Sequence, residues 1–325
     1  MGGRMMAAAG AAQAWRARMV EAGLVARSMW LREAADVCAP PALEPFTLVW
    51  PRAYSWAPFS IWFEPLREGL AALARMEGAQ AMRPPVRNCE IIDVRYGGAT
   101  FPVVIDCGDS SDIDEAQAAR ALVYFKMQYR RAGYGRPNVV PGGYGPGMGV
   151  RIDSVLPALR ALRDRREFEH EVHARFGAAF GYERRKPYLD ALAADGRFRL
   201  TGGFKMLRPS AFLAEVARAR VLIDLPGQGD FCFRFVDYLA VGACVVAARH
   251  GVRMPVDLVD GRDVLFVDTP AQAADACAHL LAEPARIEAM AQAARAYYDN
   301  HLTKSAQAAY YAREIRARLP GAPFP

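Results

Sequence analysis

The chain has 325 residues, 53% of them hydrophobic, so it is long enough to bury two domains of ordinary size. No apolar run reaches the roughly 18 residues of a membrane-spanning helix, and the six cysteines (Cys38, Cys89, Cys107, Cys232, Cys244, Cys277) form no C-x-x-C pair, a pattern that fits reduced thiols better than a disulfide framework or a zinc site. Reduced thiols, a cytoplasmic protein and no structural metal are the expectation, and the net charge of +6 with a pI near 9.1 favours anionic partners.

Residues 1–45 read as an N-terminal extension. Its start, MGGRMMAAAGAAQAWRARMVEAGLVARSMW, is interrupted by Arg16, Arg18 and Arg27 and does not resemble a secretory signal. An ordinary surface helix is preferred there to a basic helix making peripheral membrane contact. From residue 46 come short β-rich runs, FTLVW, CEIIDVRY (89–96), FPVVID (101–106) and ALVYFKM (121–127), with a capped helix start at SSDIDEAQAARAL. These predict an α/β domain over 46–150. It closes on RRAGYGRPNVVPGGYGPGMG (130–149), whose seven glycines and three prolines end regular structure and mark a functional loop or domain boundary.

The second domain, 151–325, alternates regularly. After the helix SVLPALRALRDRR come strand FEHEVHARF, helix KPYLDALAAD, strand RFRLTGGF, helix PSAFLAEVARA, strand VLIDLP, helix FCFRFVDYLAVG, strands CVVAA and DVLFVD, then helices to the end. That pattern predicts a parallel sheet covered on both faces, with ligands at the carboxyl ends of its strands.

One such end lies in LIDLPGQGDFCFRFVDYLAVGACVV (222–246), where an apolar helix carries two charges, Arg234 and Asp237. Gly227 and Gly229 leave room for close approach, and the free N–H groups of the helix start favour a phosphate. On this view Arg234 takes a phosphate or sugar oxygen and Asp237 a ribose diol. The alternative, an internal Arg234–Asp237 ion pair, stays open at even odds. PGQG lacks the spacing of the dinucleotide fingerprint, which disfavours a nicotinamide dehydrogenase.

The stretches FRFVDYLAVGACVVAARHG and DLVDGRDVLFVDTPAQAADACAHLLAEPARIEAMAQAAR resemble the donor-binding half of glycosyltransferases with two Rossmann-like domains (the GT-B fold), of the "glycosyl transferases group 1" type, over about 170–310. The resemblance implies two Rossmann-like domains with parallel sheets, a metal-independent transfer from a nucleotide-sugar donor, and a glycan, lipid or small-molecule acceptor. It implies no cofactor, the nucleotide sugar being a substrate. Asp237 stands where the family holds the donor's ribose. The family's second acid, eight positions earlier, corresponds here to Gly229, with Asp230 beside it as a ligand or, preferred, only the helix N-cap. Basic residues for the donor diphosphate fall in GAAFGYERRKPYL, which points to Arg184 and Lys186, with Arg185 read as solvated. Gly203, in TGGF, suits backbone approach to the base or a tight turn, and His250 either reaches the sugar or is a surface residue.

The first domain matches less well. Asp106, Asp109, Asp112 and Asp114 cluster after a β-run; Asp109 is the candidate general base, against the alternative that all four cap turns and a helix. Two other classes remain: a non-catalytic nucleotide-sugar or sugar-binding protein on the same fold, and a nucleic-acid-binding protein resting on charge and on YFKMQYRRAGYGR, the less favoured.

Overall fold

A computed structural model of the chain describes residues 19–28, 43–147 and 151–321. Of the N-terminal extension, residues 19–28 are helical: Leu24 joins the core, and the Ser28 hydroxyl accepts the Ala158 N–H at 3.0 Å. The expectation of membrane contact, and Cys38, rest on residues outside those described. The other five cysteines are free thiols, and among the described residues no helix is long and apolar enough to cross a membrane.

Two separate sheets form. The first contains β1 (Thr47–Trp50), β2 (Arg75–Gly78), β3 (Cys89–Tyr96), β4 (Ala99–Asp106), β5 (Val123–Lys126) and β6 (Val139–Pro141), in the order β2-β1-β3-β4-β5-β6. It is mostly parallel, with one departure from the expected all-parallel sheet: β3 runs antiparallel to both β1 and β4. The cause is local. Gly97 and Gly98 both adopt positive φ (56° and 81°), the geometry of a tight two-residue hairpin, so β4 returns beside β3 without a crossover helix. Alternation then separates the faces: Val103 and Ile105 join the main core, while Val104 and Tyr124 pack under α2 (Glu115–Arg120) with Ala118.

Helix α1 (Ser60–Ala71) was not legible in the sequence, because Pro65 lies inside it and WAPFSIWFEPL carries no clean periodicity. It buries Phe63, Leu66 and Leu70. Strand β6 was likewise unexpected inside the glycine-rich stretch.

The second sheet holds β7 (His170–Arg175), β8 (Leu200–Gly203), β9 (Ala219–Asp224), β10 (Cys244–Ala248) and β11 (Leu265–Val267), in the order β11-β10-β9-β7-β8, with every pair parallel. Each strand divides its side chains between two layers. Val221 and Ile223 face α4 (Tyr182–Ala194) and α7 (Pro270–Ala282), whereas Leu222, Val245 and Ala247 face α3 (Ile152–Asp164), α5 (Pro209–Ala217), α6 (Phe233–Val241) and α8 (Pro284–His301). The outcome is an α/β protein with two mostly parallel sheets covered by helices. The final helix, α9 (Lys304–Arg316), crosses back onto α1, at a place where a Cβ on Gly69 would stand 2.5 Å from the Lys304 carbonyl.

Gly202 sets a testable limit on the second sheet. Its φ is +112°, and a Cβ there would lie 2.1 Å from the Ala174 carbonyl of the neighbouring strand. Gly202→Ala is therefore expected to cost more than about 2 kcal/mol in urea unfolding, since backbone on both sides must shift; a cost under about 0.5 kcal/mol would show that the strand end yields freely.

Candidate functional site

The buried strand β9 ends on Asp224, only 5% exposed, before the Pro226–Gly227 turn. Eight residues after Pro226, in the first turn of α6, Arg234 reaches back to Asp224. Its Nε and Nη2 donate to Asp224 Oδ1 at 3.0 and 2.7 Å, and Nη2 also donates to the Leu225 carbonyl at 2.8 Å. Burial raises the pKa of Asp224, and the charge of Arg234 opposes that rise. The expected Arg234–Asp237 alternative is thus corrected. Arg234 is long enough to fold back over the helix N-terminus to the strand end, whereas the short Asp237 stays at its own level and accepts the Gly147 N–H at 2.8 Å. The sequence held a signal for the true partner, a lone acid closing an apolar strand ten residues before the arginine.

The loop after β7 supplies a second guanidinium. Helix α4 opens at Tyr182 behind Gly181 in the left-handed region (φ 82°), so Arg184, Arg185 and Lys186 lie inside its first turns rather than ahead of it. Arg185, read from sequence as solvated, is 3% exposed. It donates to the carbonyls of Pro226 (2.9 Å) and Gly177 (3.0 Å), and it lies 5.0 Å from the Phe176 ring centroid, while Arg234 lies 4.6 Å from the same ring. Burial, then the nearby Arg234, lowers the pKa of Arg185. Two cations therefore share one aromatic ring with one buried carboxylate between them.

Around that centre the remaining candidates divide. Arg184 donates to Asp230 at 2.7 Å and to the Gly227 carbonyl at 3.3 Å, which ties the two loops together. Asp230 is therefore an ion-pair partner and not the N-cap of α6; Cys232 holds that position with no side-chain cap, leaving the helix's first N–H groups without one. Lys186 pairs with Asp190 on the exposed face of α4, away from the loops, because positions four apart meet along one helix face. Gly203 ends β8 at φ +84°, and its carbonyl accepts the Phe176 N–H. Gly227 touches both Arg185 and Cys232, and a Cβ there would lie 2.9 Å from Arg185 Nη2. His250 is not a surface residue. Its ring stands edge-on between Phe231 (5.4 Å) and Phe266 (5.3 Å), neither nitrogen has a well-formed hydrogen bond, and burial lowers its pKa against the pull of Asp224 and Asp230.

The loop after β5 closes over this edge. The buried Gln128 amide donates to the Phe231 carbonyl at 2.8 Å and accepts the Phe231 N–H at 3.2 Å, and a Cβ on Gly229 would stand 2.3 Å from Gln128 Nε2. Sequence reasoning missed Gln128, since nothing local marks a glutamine whose partner lies 103 residues away. Beside it, Arg131 N donates to the Gly251 carbonyl and Arg253 N to the Tyr129 carbonyl. The aromatic and basic stretch thus contacts the loop after β10, and Arg130 covers Tyr134 at 4.4 Å.

The four carboxylates do not act together. Asp106 forms a buried pair with Lys126 at 2.9 Å, Asp112 bonds Ser110 in a turn, and Asp114 caps α2 through the Gln117 N–H at 3.0 Å. Among the described residues only the Asp109 carboxylate of the four has no hydrogen-bond partner. Its backbone carbonyl abuts Gly229, and burial raises its pKa against Lys126. Among the described residues no three His, Cys, Asp or Glu side chains converge to hold a metal ion. Two open cavities lie elsewhere among the described residues, one of about 630 Å³ at the far end of the sheet by Arg197 and Arg199, another of about 350 Å³ beside α7.

Residues 160–313 match the family described as glycosyl transferase-like. The glycosyltransferase-like segment therefore runs from within α3 into α9 and contains both arginine loops, Asp224, Asp237 and His250. A solved glycosyltransferase from Rickettsia africae ESF-5 is similar at 10% identity and a TM-score of 0.43, over 67% of this chain and 71% of that one. No curated protein matches the chain.

Proposed function

We propose that this protein is a glycosyltransferase that binds a nucleotide-activated sugar at the carboxyl edge of the second sheet and transfers the sugar to an acceptor entering from the first domain. The observation that carries the proposal is the pair Arg185 and Arg234 about Phe176, balanced by Asp224 alone, at the uncapped start of α6. Such a centre has net positive charge and free N–H groups where a diphosphate would lie. As the glycosidic bond breaks, negative charge grows on the leaving diphosphate, and fixed guanidiniums stabilise it without a reorganisation cost. Because arginines supply that charge, we read the transfer as metal-independent. Asp237 would hold the ribose, Arg184 the outer phosphate or sugar, and His250 the sugar ring. Asp109, whose backbone carbonyl lies beside Gly229, would take the acceptor proton on its carboxylate.

One observation favours the non-catalytic alternative. Gly229 stands where the resemblance places a donor-sugar acid, and Gln128 leaves no room for any side chain there. Two measurements separate the readings. A thermal-shift screen against UDP, GDP, ADP and CMP sugars should find one that stabilises by about 2.7 kcal/mol at 100 times its dissociation constant. That ligand should then be hydrolysed slowly without acceptor; binding without any hydrolysis or transfer would leave a binding protein.

A further inference from the structure

Asp237 is held by the protein itself. Its Oδ1 accepts the Gly147 N–H at 2.8 Å, while Oδ2 lies against the same glycine, 2.9 Å from where a Cβ would stand. The Phe233 ring also packs on that glycine, 2.7 Å from the same Cβ position, and Asp237 as a whole is 4% exposed. Gly147 therefore lies against both oxygens of a carboxylate that is almost wholly buried. The glycine is a requirement here, since any larger residue would strike both the ring and the carboxylate.

The segment behind Gly147 is anchored in a way that confines any movement. Gly142 N donates to the Lys126 carbonyl at 2.7 Å, Tyr311 Oη donates to the Gly142 carbonyl at 2.8 Å, and Gln307 Nε2 donates to the Tyr144 carbonyl at 2.7 Å. Beyond Tyr144 the chain is held at Gly147 by Asp237, and a Cβ on Gly145 would come only into ordinary contact with the Trp62 ring.

We infer that Gly145–Gly147 is a self-plug: a short length of the interdomain connection that occupies the α6 carboxylate and that a diol-bearing ligand must displace. This rests on the reading of Asp237 as a ligand-binding residue. A bound ribose replaces one N–H donor by two O–H donors, so the carboxylate stays satisfied in both states and the exchange is between alternative partners. The fraction of molecules with the plug withdrawn scales the apparent affinity, and this makes the connection between the domains a control on donor binding.

The test is hydrogen exchange at the Gly147 amide in the full chain, free and with UDP, GDP or ADP at saturation. The plug predicts that the bound nucleotide speeds exchange at Gly147, on the order of tenfold, while it slows exchange elsewhere in the second domain. Gly147→Ala gives a second measurement: the Cβ expels the plug, and nucleotide should bind more tightly, again on the order of tenfold. Nucleotide binding with the Gly147 amide still protected overturns the plug and leaves the donor site standing. Unchanged or weaker binding by a folded Gly147→Ala variant also counts against it. If none of the three nucleotides binds either protein, the donor reading falls and the plug with it.

Discussion

Arg234→Met is expected to destabilise the chain by about 3–5 kcal/mol in urea unfolding, because it strands the Asp224 carboxylate in a buried site. Asp224 is 5% exposed, both of its resolved side-chain bonds come from Arg234, and the same guanidinium lies over Phe176. Arg234→Met with Asp224→Leu should restore most of that loss, since the desolvation cost disappears with both charges and Met and Leu fill similar volume. Asp237→Leu in place of Asp224→Leu should give no such rescue, as Asp237 is bonded to Gly147 instead. A single change costing under about 1 kcal/mol, or equal behaviour of the two double variants, would contradict the pairing.

The second large effect is on the pH dependence of stability. Burial raises the pKa of Asp237 to about 7, against the Gly147 N–H and the charge of Arg234, which both lower it. The folded-state value lies above the ordinary one of 3.8, so between about pH 4 and 7 the folded chain keeps a proton that the unfolded chain has lost. This group's contribution is therefore complete below about pH 4, declines as pH rises towards 7, and is flat above. The decline has an upper bound of about 4 kcal/mol, at about 1.4 kcal/mol per pH unit. Asp237→Asn keeps an oxygen for the Gly147 N–H and removes the titration, so the variant should gain on the wild type as pH rises from 4 to 7. Parallel stability curves over that range, from urea unfolding at each pH, would show that the carboxyl is ionised in the folded chain throughout.

The elements of the second domain were legible because strand and helix periods there are long and uninterrupted. VLIDLP, FCFRFVDYLAVG and CVVAA fall where β9, α6 and β10 form. The first domain was less so: β3 and β4 show in CEIIDVRY and FPVVID, but their antiparallel pairing depends on the Gly97–Gly98 turn, and α1 is hidden by Pro65. The site was legible as a place and not as a set of contacts. Arg234 and Asp237 declared themselves as charges in an apolar helix, yet their partners, Asp224 and Gly147, are set by side-chain length and by domain closure. Arg185 shows the same limit. In ERRK nothing marks the second arginine as the buried one; the helix beginning at Tyr182 turns it inward onto Phe176 and leaves Lys186 to Asp190 outside.

The central claim, that the guanidinium pair at the start of α6 receives a nucleoside diphosphate, is tested most directly by calorimetric titration of UDP, GDP and ADP and of their monophosphates. The proteins compared are the wild type and the folded Arg234→Met, Asp224→Leu variant. One diphosphate should bind the wild type on the order of tenfold more tightly than its monophosphate, the increment of one charge-assisted hydrogen bond, and the double variant should lose that preference. Equal binding of mono- and diphosphate by the wild type, or a preference that survives in the double variant, would contradict it.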